Sequence, residues 1–263
     1  MKKFKHIAIW GGLLLYLIVA LSFVSRKRSG TICSKVQVQV LDSLDDRFVS
    51  KDEILDLIYD TDIKVLGEPV SRINIRQMEK YLEDRAIIHQ AELYFTADGN
   101  MHVEINQRNP IVRVINDKGR SYYIDREGVI IPLSSNYASH VLVASGEIVE
   151  FFELAKTRRL PCPGKYEGNK NYTICQIHEM AAFISRNPFW KSQIEQIYVN
   201  DKGEFELIPR VGGHLIKLGA FSGYRDKLRN LKAFYMKGLN NVGWNQYLEI
   251  SLKYDNQIIC TKR

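Results

Sequence analysis

Apolar and polar positions change rhythm three times along the chain. An unbroken run without charge extends from Ile7 to Val24, flanked by Lys2, Lys3 and Lys5 on one side and Arg26, Lys27 and Arg28 on the other. Eighteen residues of helix cover about 27 Å, close to the hydrocarbon thickness of a bilayer, so the run is expected to span a membrane. Ala20-Leu21-Ser22 fits a signal-cleavage site only loosely, and the span is read as uncleaved. Basic residues on both flanks leave its orientation undecided by charge. No later segment has comparable length without charge, so everything after the span is expected on one side.

From Val36 to Val40 the pattern alternates with period two, as in a strand with one buried face. Ser50 and Glu53 form a capping box ahead of a stripe made by Ile54, Leu57 and Ile58. Asn74 and Gln77 start a second helix with Ile75, Met78 and Leu82 inward. Residues Ala91 to Thr96 and Met101 to Asn106 flank the turn Ala97-Asp98-Gly99-Asn100. The order β-α-α-β-β predicts a small α+β domain, two helices on a three-stranded sheet.

Beyond Gln107-Arg108-Asn109-Pro110 the texture is one of hairpins. Asn116-Asp117-Lys118-Gly119 and Asn200-Asp201-Lys202-Gly203 repeat one tetrapeptide, and Asp125-Arg126-Glu127-Gly128 is a relative. Each suits a tight turn closed by a glycine with positive φ. Two helices interrupt the strands. One runs from about Thr173 to Arg186 with Ile174, Ile177, Ala181 and Ile184 inward, and stops before Pro188. The other runs from about Ser222 to Gly238, with Leu228, Leu231, Phe234 and Tyr235 inward and Arg225, Lys227, Arg229, Lys232 and Lys237 toward water. The stretch Tyr247 to Ile259 reads as two strand pieces around Asp255-Asn256.

Charge changes the picture little. The net +7 comes almost wholly from the six basic residues before position 29, which leave 31 basic against 30 acidic residues in the body. Such a body lacks the electrostatic footprint of a nucleic-acid binder. Four cysteines, Cys33, Cys162, Cys175 and Cys260, allow three pairings, with buried free thiols as an equal alternative. None stands at zinc-site spacing, and no metal or cofactor is expected.

Catalytic patterns fail on inspection. His178-Glu179 lacks a second histidine, since Ala182 holds that position of H-E-x-x-H. Gly164-Lys165 and Gly168-Asn169-Lys170 lack P-loop spacing, and no G-x-S-x-G occurs. Gly212-Gly213 reads as a turn. Asp125 and Glu127 read as turn residues rather than paired carboxylates, and Asn171-Tyr172-Thr173 matches a glycosylation acceptor of meaning only in a secretory eukaryotic setting.

Together a short basic tail, one span, a β-α-α-β-β unit and a hairpin-rich second domain resemble the bacterial cell-division proteins of the FtsQ/DivIB family. The segment IIHQAELYFTADGNMHVEINQRNPIVRV resembles the end of that family's POTRA domain. ELIPRVGGHLIKLGAFSGYRDKLRNLKAFYMKGL is similar to its strand, Gly-rich turn, strand and amphipathic helix, and VGWNQYLEISLKYDNQIICTKR resembles its terminal strands, in wording similar to Bacteroidetes-type members. The implied organisation is a cytoplasmic tail (1–6), a transmembrane helix (7–24), a tether (25–35), a POTRA-like domain (36–108) and a partner-binding β domain (109–263). The fold class is α+β, with two helices in the strand-rich domain.

The resemblance implies a scaffold, not an enzyme. It would be single-pass in the inner membrane at the division septum, with its bulk in the periplasm and no small-molecule substrate. It implies partners of the FtsB/DivIC and FtsL type, other divisome components, and control of septal peptidoglycan synthesis. Part of that contact would be a partner strand added along Tyr254-Asp255-Asn256-Gln257-Ile258-Ile259, with Tyr247 and Trp244 nearby. The sequence runs only a few residues further, so no long segment is expected to cover this edge. Core roles for Tyr254 and Trp244 stay open at this point. A periplasmic chaperone or translocation module, or a membrane-tethered hydrolase, are the alternatives.

Overall fold

A computed structural model describes residues 10–19, 31–41, 48–60, 64–134, 137–150, 152, 158–162, 173–239, 243–254 and 256–263. Residues 10–19 form a helix, α1, whose apolar side chains, Trp10 and Leu14 among them, are exposed. Among the described residues no helix is long and apolar enough to cross a membrane. Residues 7–9 and 20–24 of the expected span lie outside the described set, as do the glycine-rich loop at 164–170 and Asn171-Tyr172. The remainder divides into two compact units, at Gln107 and Arg108.

In the first unit, β1 (Val36–Val40) lies parallel to β3 (Met101–Gln107), which pairs antiparallel with β2 (Ile88–Phe95), giving the order β1-β3-β2. Helix α2 (Lys51–Tyr59) begins with a complete capping box: the Ser50 hydroxyl accepts from the Glu53 amide and the Glu53 carboxylate accepts from the Ser50 amide. Helix α3 (Ile75–Glu83) is capped by Asn74, which accepts from the Gln77 amide at 3.2 Å. Ile54, Ile58, Met78 and Leu82 are buried, as are Ala91, Leu93, Met101, Val103 and Ile105 on the strands. The 2–3 hairpin turns at Gly99, whose φ is +86°; a Cβ there would meet the Ile32 carbonyl oxygen.

One margin of this sheet is closed by side chains. β2 is an edge strand, and its outward amides at Ala91 and Leu93 donate to the carboxylates of Glu83 (3.3 Å) and Glu79 (3.0 Å) on α3. Unpaired strand amides invite another chain; here two are already satisfied.

The second unit is a single nine-stranded mixed sheet, ordered β12-β11-β10-β9-β8-β7-β4-β5-β6. Its strands are β4 (Pro110–Ile115), β5 (Ser121–Asp125), β6 (Ile130–Ile131), β7 (Leu142–Gly146), β8 (Ile194–Val199), β9 (Phe205–Pro209), β10 (Leu215–Gly219), β11 (Tyr247–Ser251) and β12 (Ile259–Lys262). The turns β4–β5, β5–β6 and β8–β9 share one device. The side-chain oxygen of Asn116, Asp125 or Asn200 accepts two amides, two and four residues on, and Gly119, Gly128 or Gly203 takes φ between +72° and +78°.

Parallel neighbours need long crossovers, and these supply the helices. Helix α4 (Thr173–Arg186) and α5 (Pro188–Gln193) connect the parallel pair β7–β8, and α6 (Tyr224–Phe234), prolonged by a wider π turn from Tyr235 to Leu239, connects the parallel pair β10–β11. Ile177, Met180, Ala181, Leu228 and Leu231 from these helices join Ile197, Leu207, Ile216 and Ile250 from the sheet in one core. A buried aliphatic side chain of this kind contributes about 1.5–3 kcal/mol.

Two expectations are corrected here. The strand-rich unit has a third helix, α5, because Asn187 accepts from the Phe189 and Trp190 amides while Pro188 occupies the first helical position. Pro188 therefore ends one helix and starts the next, placing Trp190 in the core at 2% exposure. Lys227 is half-buried rather than turned to water, donating to the carbonyls of Leu218 and Ala220.

Cys162 and Cys175 form a disulfide, tying the segment before α4 to its first turn, whereas Cys33 and Cys260 are free. Burial pushes both free thiols above the ordinary cysteine range. Unfolding in the absence of reductant should therefore release two titratable thiols and reduction should raise the count to four, with native alkylation much slower than in denaturant. Gly146, with φ +104°, lies so close to β8 that a Cβ would sit 2.0 Å from the Val199 carbonyl oxygen. Gly146→Ala should cost on the order of 3 kcal/mol, measured as a lowered chemical-denaturation midpoint.

Candidate functional site

The nine-stranded sheet has two margins. At the β6 end, Ile130 donates to the Arg158 carbonyl at 3.0 Å, Leu160 donates to that of Gly128 at 2.8 Å, and Val129 bridges to Arg159. That margin is partly covered by the chain itself. At the other end β12 pairs with β11 alone.

The direction of the free groups follows from one bond. The Arg263 amide donates to the Gln246 carbonyl at 3.2 Å, so by strand alternation the amides of Thr261 and Ile259 also face β11. Those of Cys260 and Lys262, with their carbonyls, face outward. Among the described residues no backbone partner stands on that outer side. The side chains alternate the other way: Cys260 packs against the core while Ile259, at 46% exposure, does not.

The expected site residues are redistributed. Tyr254, Asn256, Gln257 and Ile258 do not form the edge strand; they belong to the connection between β11 and β12, and Asp255 lies outside the described residues. Asn256 adopts φ +57°, a left-handed conformation that asparagine tolerates, and the Gln257 amide donates back to the Tyr254 carbonyl at 3.4 Å. Both features turn the chain. Of the expected edge residues only Ile259 lies in the strand, while Cys260, Thr261 and Lys262, which form the rest of it, were not assigned. The Asp255-Asn256 turn pair followed by Ile258-Ile259 was the signal for shifting the edge strand toward Lys262.

Tyr254 is 60% exposed and so is no core residue. Trp244 and Tyr247 are half-buried. Trp244 meets Tyr235 edge-on at 5.0 Å and Tyr247 lies 6.2 Å from Phe234, so both anchor the lead into β11 against the helical layer. Tyr235, itself buried, accepts or donates one hydrogen bond with His214 Nε2 at 2.7 Å.

Other candidate groups have structural tasks. Asp125 is buried, takes the Glu127 and Val129 amides on one oxygen and the Arg108 guanidinium on the other at 2.9 Å, and Glu127 joins Arg108 and Arg159. His178 Nε2 lies 3.0 Å from the Asp125 carbonyl, and Glu179 accepts from Tyr224 and Arg225. These two are half-buried latches rather than simple surface residues. Among the described residues no three His, Cys, Asp or Glu side chains converge to hold a metal. What the β12 margin offers chemically is main-chain hydrogen bonding.

Residues 109–261, more than half of the chain, match the family model described as FtsQ/DivIB, C-terminal related, and residues 31–106 match the POTRA-like domain. The chain belongs to the FtsQ/DivIB family. No curated protein matches it. Its two domains are those of a cell-division protein, and in this FtsQ/DivIB chain the match over residues 109–261 runs from the start of the nine-stranded sheet to within β12.

His214 sits at the root of this margin, just ahead of β10. Burial, first, and the Arg263 charge hold its pKa below the ordinary histidine range, against the pull of the Trp244 carbonyl. The fold thus favours neutral imidazole, whereas the unfolded chain takes up a proton near about pH 6.5. Stability should be full above that value and decline as pH falls toward the lower folded pKa. Denaturation midpoints measured between pH 7.5 and 5 should show that decline, and His214→Gln should flatten part of it.

Proposed function

We propose that this protein is a non-enzymatic, membrane-anchored division scaffold that binds FtsB/DivIC- and FtsL-like proteins. In so doing it links early and late division components and helps control septal peptidoglycan synthesis. The observation that carries the reading is the open β12 margin in a chain of this family. A partner strand laid beside it gains main-chain hydrogen bonds at Cys260 and Lys262, while exposed Ile259, Leu248 and Tyr254 give side-chain discrimination.

The same reading places the tail before residue 7 in the cytoplasm, the 7–24 segment in the inner membrane and both units in the periplasm at the septum. The Cys162–Cys175 disulfide supports it, since such bonds persist in oxidising compartments. Exposed apolar side chains on α1 fit a helix that meets lipid. A reporter active only outside the cytoplasm, fused after Arg263, should be active.

Proline separates edge pairing from simple surface contact. Lys262→Pro removes an outward amide and leaves the β11 ladder intact, a placement that edge strands tolerate. It should weaken capture of an extracytoplasmic FtsB/DivIC-type fragment about tenfold, with Lys262→Ala close to wild type and an unchanged denaturation midpoint. Thr261→Pro, which deletes a ladder amide, should lower both. Equal affinity of Lys262→Pro and wild type would remove edge pairing from the account.

A further inference from the structure

β12 has only four residues and a bulge in its ladder, where Tyr247 and Glu249 face Lys262 and Thr261. Short, one-sided strands open easily. A receptive edge nevertheless has to be held straight before a partner arrives, because ordering it on binding weakens the complex. Something beyond the ladder should fix it.

The candidate is Arg263. Its amide closes the ladder on Gln246, and its guanidinium Nη2 donates to the Gly213 carbonyl at 2.7 Å. Gly213 lies in the connection between β9 and β10, so one residue ties the end of β12 both to its neighbour and past it to the approach of the next strand. We infer that Arg263, seated on Gly213, is the positioning residue that holds β12 in a binding-ready conformation. This inference rests on the edge-pairing reading for its purpose, but not for its geometry.

The seat is shaped for that side chain. Gly213 lies outside the left-handed region, so its backbone suits any residue, yet a Cβ there would stand 2.0 Å from Arg263 Nη2. Its missing side chain is explained by the guanidinium that occupies the space. Gly212 beside it serves a different neighbour: with φ +89°, it leaves room for the His214 ring and the Trp244 carbonyl, which a Cβ would approach to 2.7 and 3.2 Å. Below them the contacts of His214 with Tyr235 and of Tyr235 with Trp244 fix both segments that the arginine joins.

The obstruction at Gly213 is the far end of a flexible side chain, so Gly213→Ala should displace the guanidinium without breaking the turn. It becomes a second way of removing the same clamp. In the full chain, Arg263→Ala and Gly213→Ala should each accelerate hydrogen exchange of the Ile259 and Thr261 amides about fivefold, leaving β8 and β9 unchanged. The double variant should equal either single one. Unchanged exchange in Arg263→Ala, or additive effects in the double variant, would overturn the inference.

Capture of the extracytoplasmic FtsB/DivIC-type fragment then separates the two claims. A parallel fall in affinity for both single variants supports the positioning role in binding. Faster exchange with full capture keeps Arg263 as the residue that holds β12 and removes the edge-pairing reading instead.

Discussion

A strand at the margin of a sheet has backbone groups on one side that the sheet itself does not satisfy, and that constraint organises this molecule. Three of the four sheet margins meet it differently. β2 is closed by carboxylates from a helix, β6 is partly covered by a returning segment, and β12 is left open and braced. Differences in treatment are informative because exposed edges are a hazard that folded proteins suppress. At β12 the outer groups are neither covered nor capped, and the strand is held instead through its last residue.

That presentation depends on the parallel pairs. Because β10 and β11 run in the same direction, the chain must cross over the sheet between them, and α6 does so while burying Leu228 and Leu231. The crossover returns through Trp244 and Tyr247, which lean on Tyr235 and Phe234, and only then can β11 and β12 extend the sheet. The core of the second domain and its open margin are therefore consecutive outcomes of one chain path. Loss of packing beneath α6 would be felt at β12 before any residue of the margin itself were changed.

Local chemistry was easy to read in this sequence and long-range pairing was not. Ser50 with Glu53, Asn74 and the three Asx-Gly turns act within four residues, so the groups that satisfy one another are close in the text. Period-two alternation likewise marked Val36 to Val40 and Met101 to Ile105. Pro188 misled because proline both terminates and initiates helices, and the deciding cap, Asn187, stands one residue before it. The order of the nine strands has no local signature. The edge was misplaced by a few residues because it was set by resemblance across the Asp255-Asn256 break, whereas Asn256 in a left-handed conformation keeps the chain turning until Ile259. The clamp by Arg263 joins residues 50 positions apart, and pairs of glycines ordinarily signify turns, so its seat looked like nothing more.

The carboxylates of Glu79 and Glu83 on the outer amides of β2 also bear on assembly. A three-stranded sheet receptive at both margins could add copies of itself in succession, each new unit offering the next a fresh template. With one flank occupied by glutamate oxygens, such growth has no second end from which to continue. The occupied flank thus removes one of the two routes by which the small domain could seed a fibre.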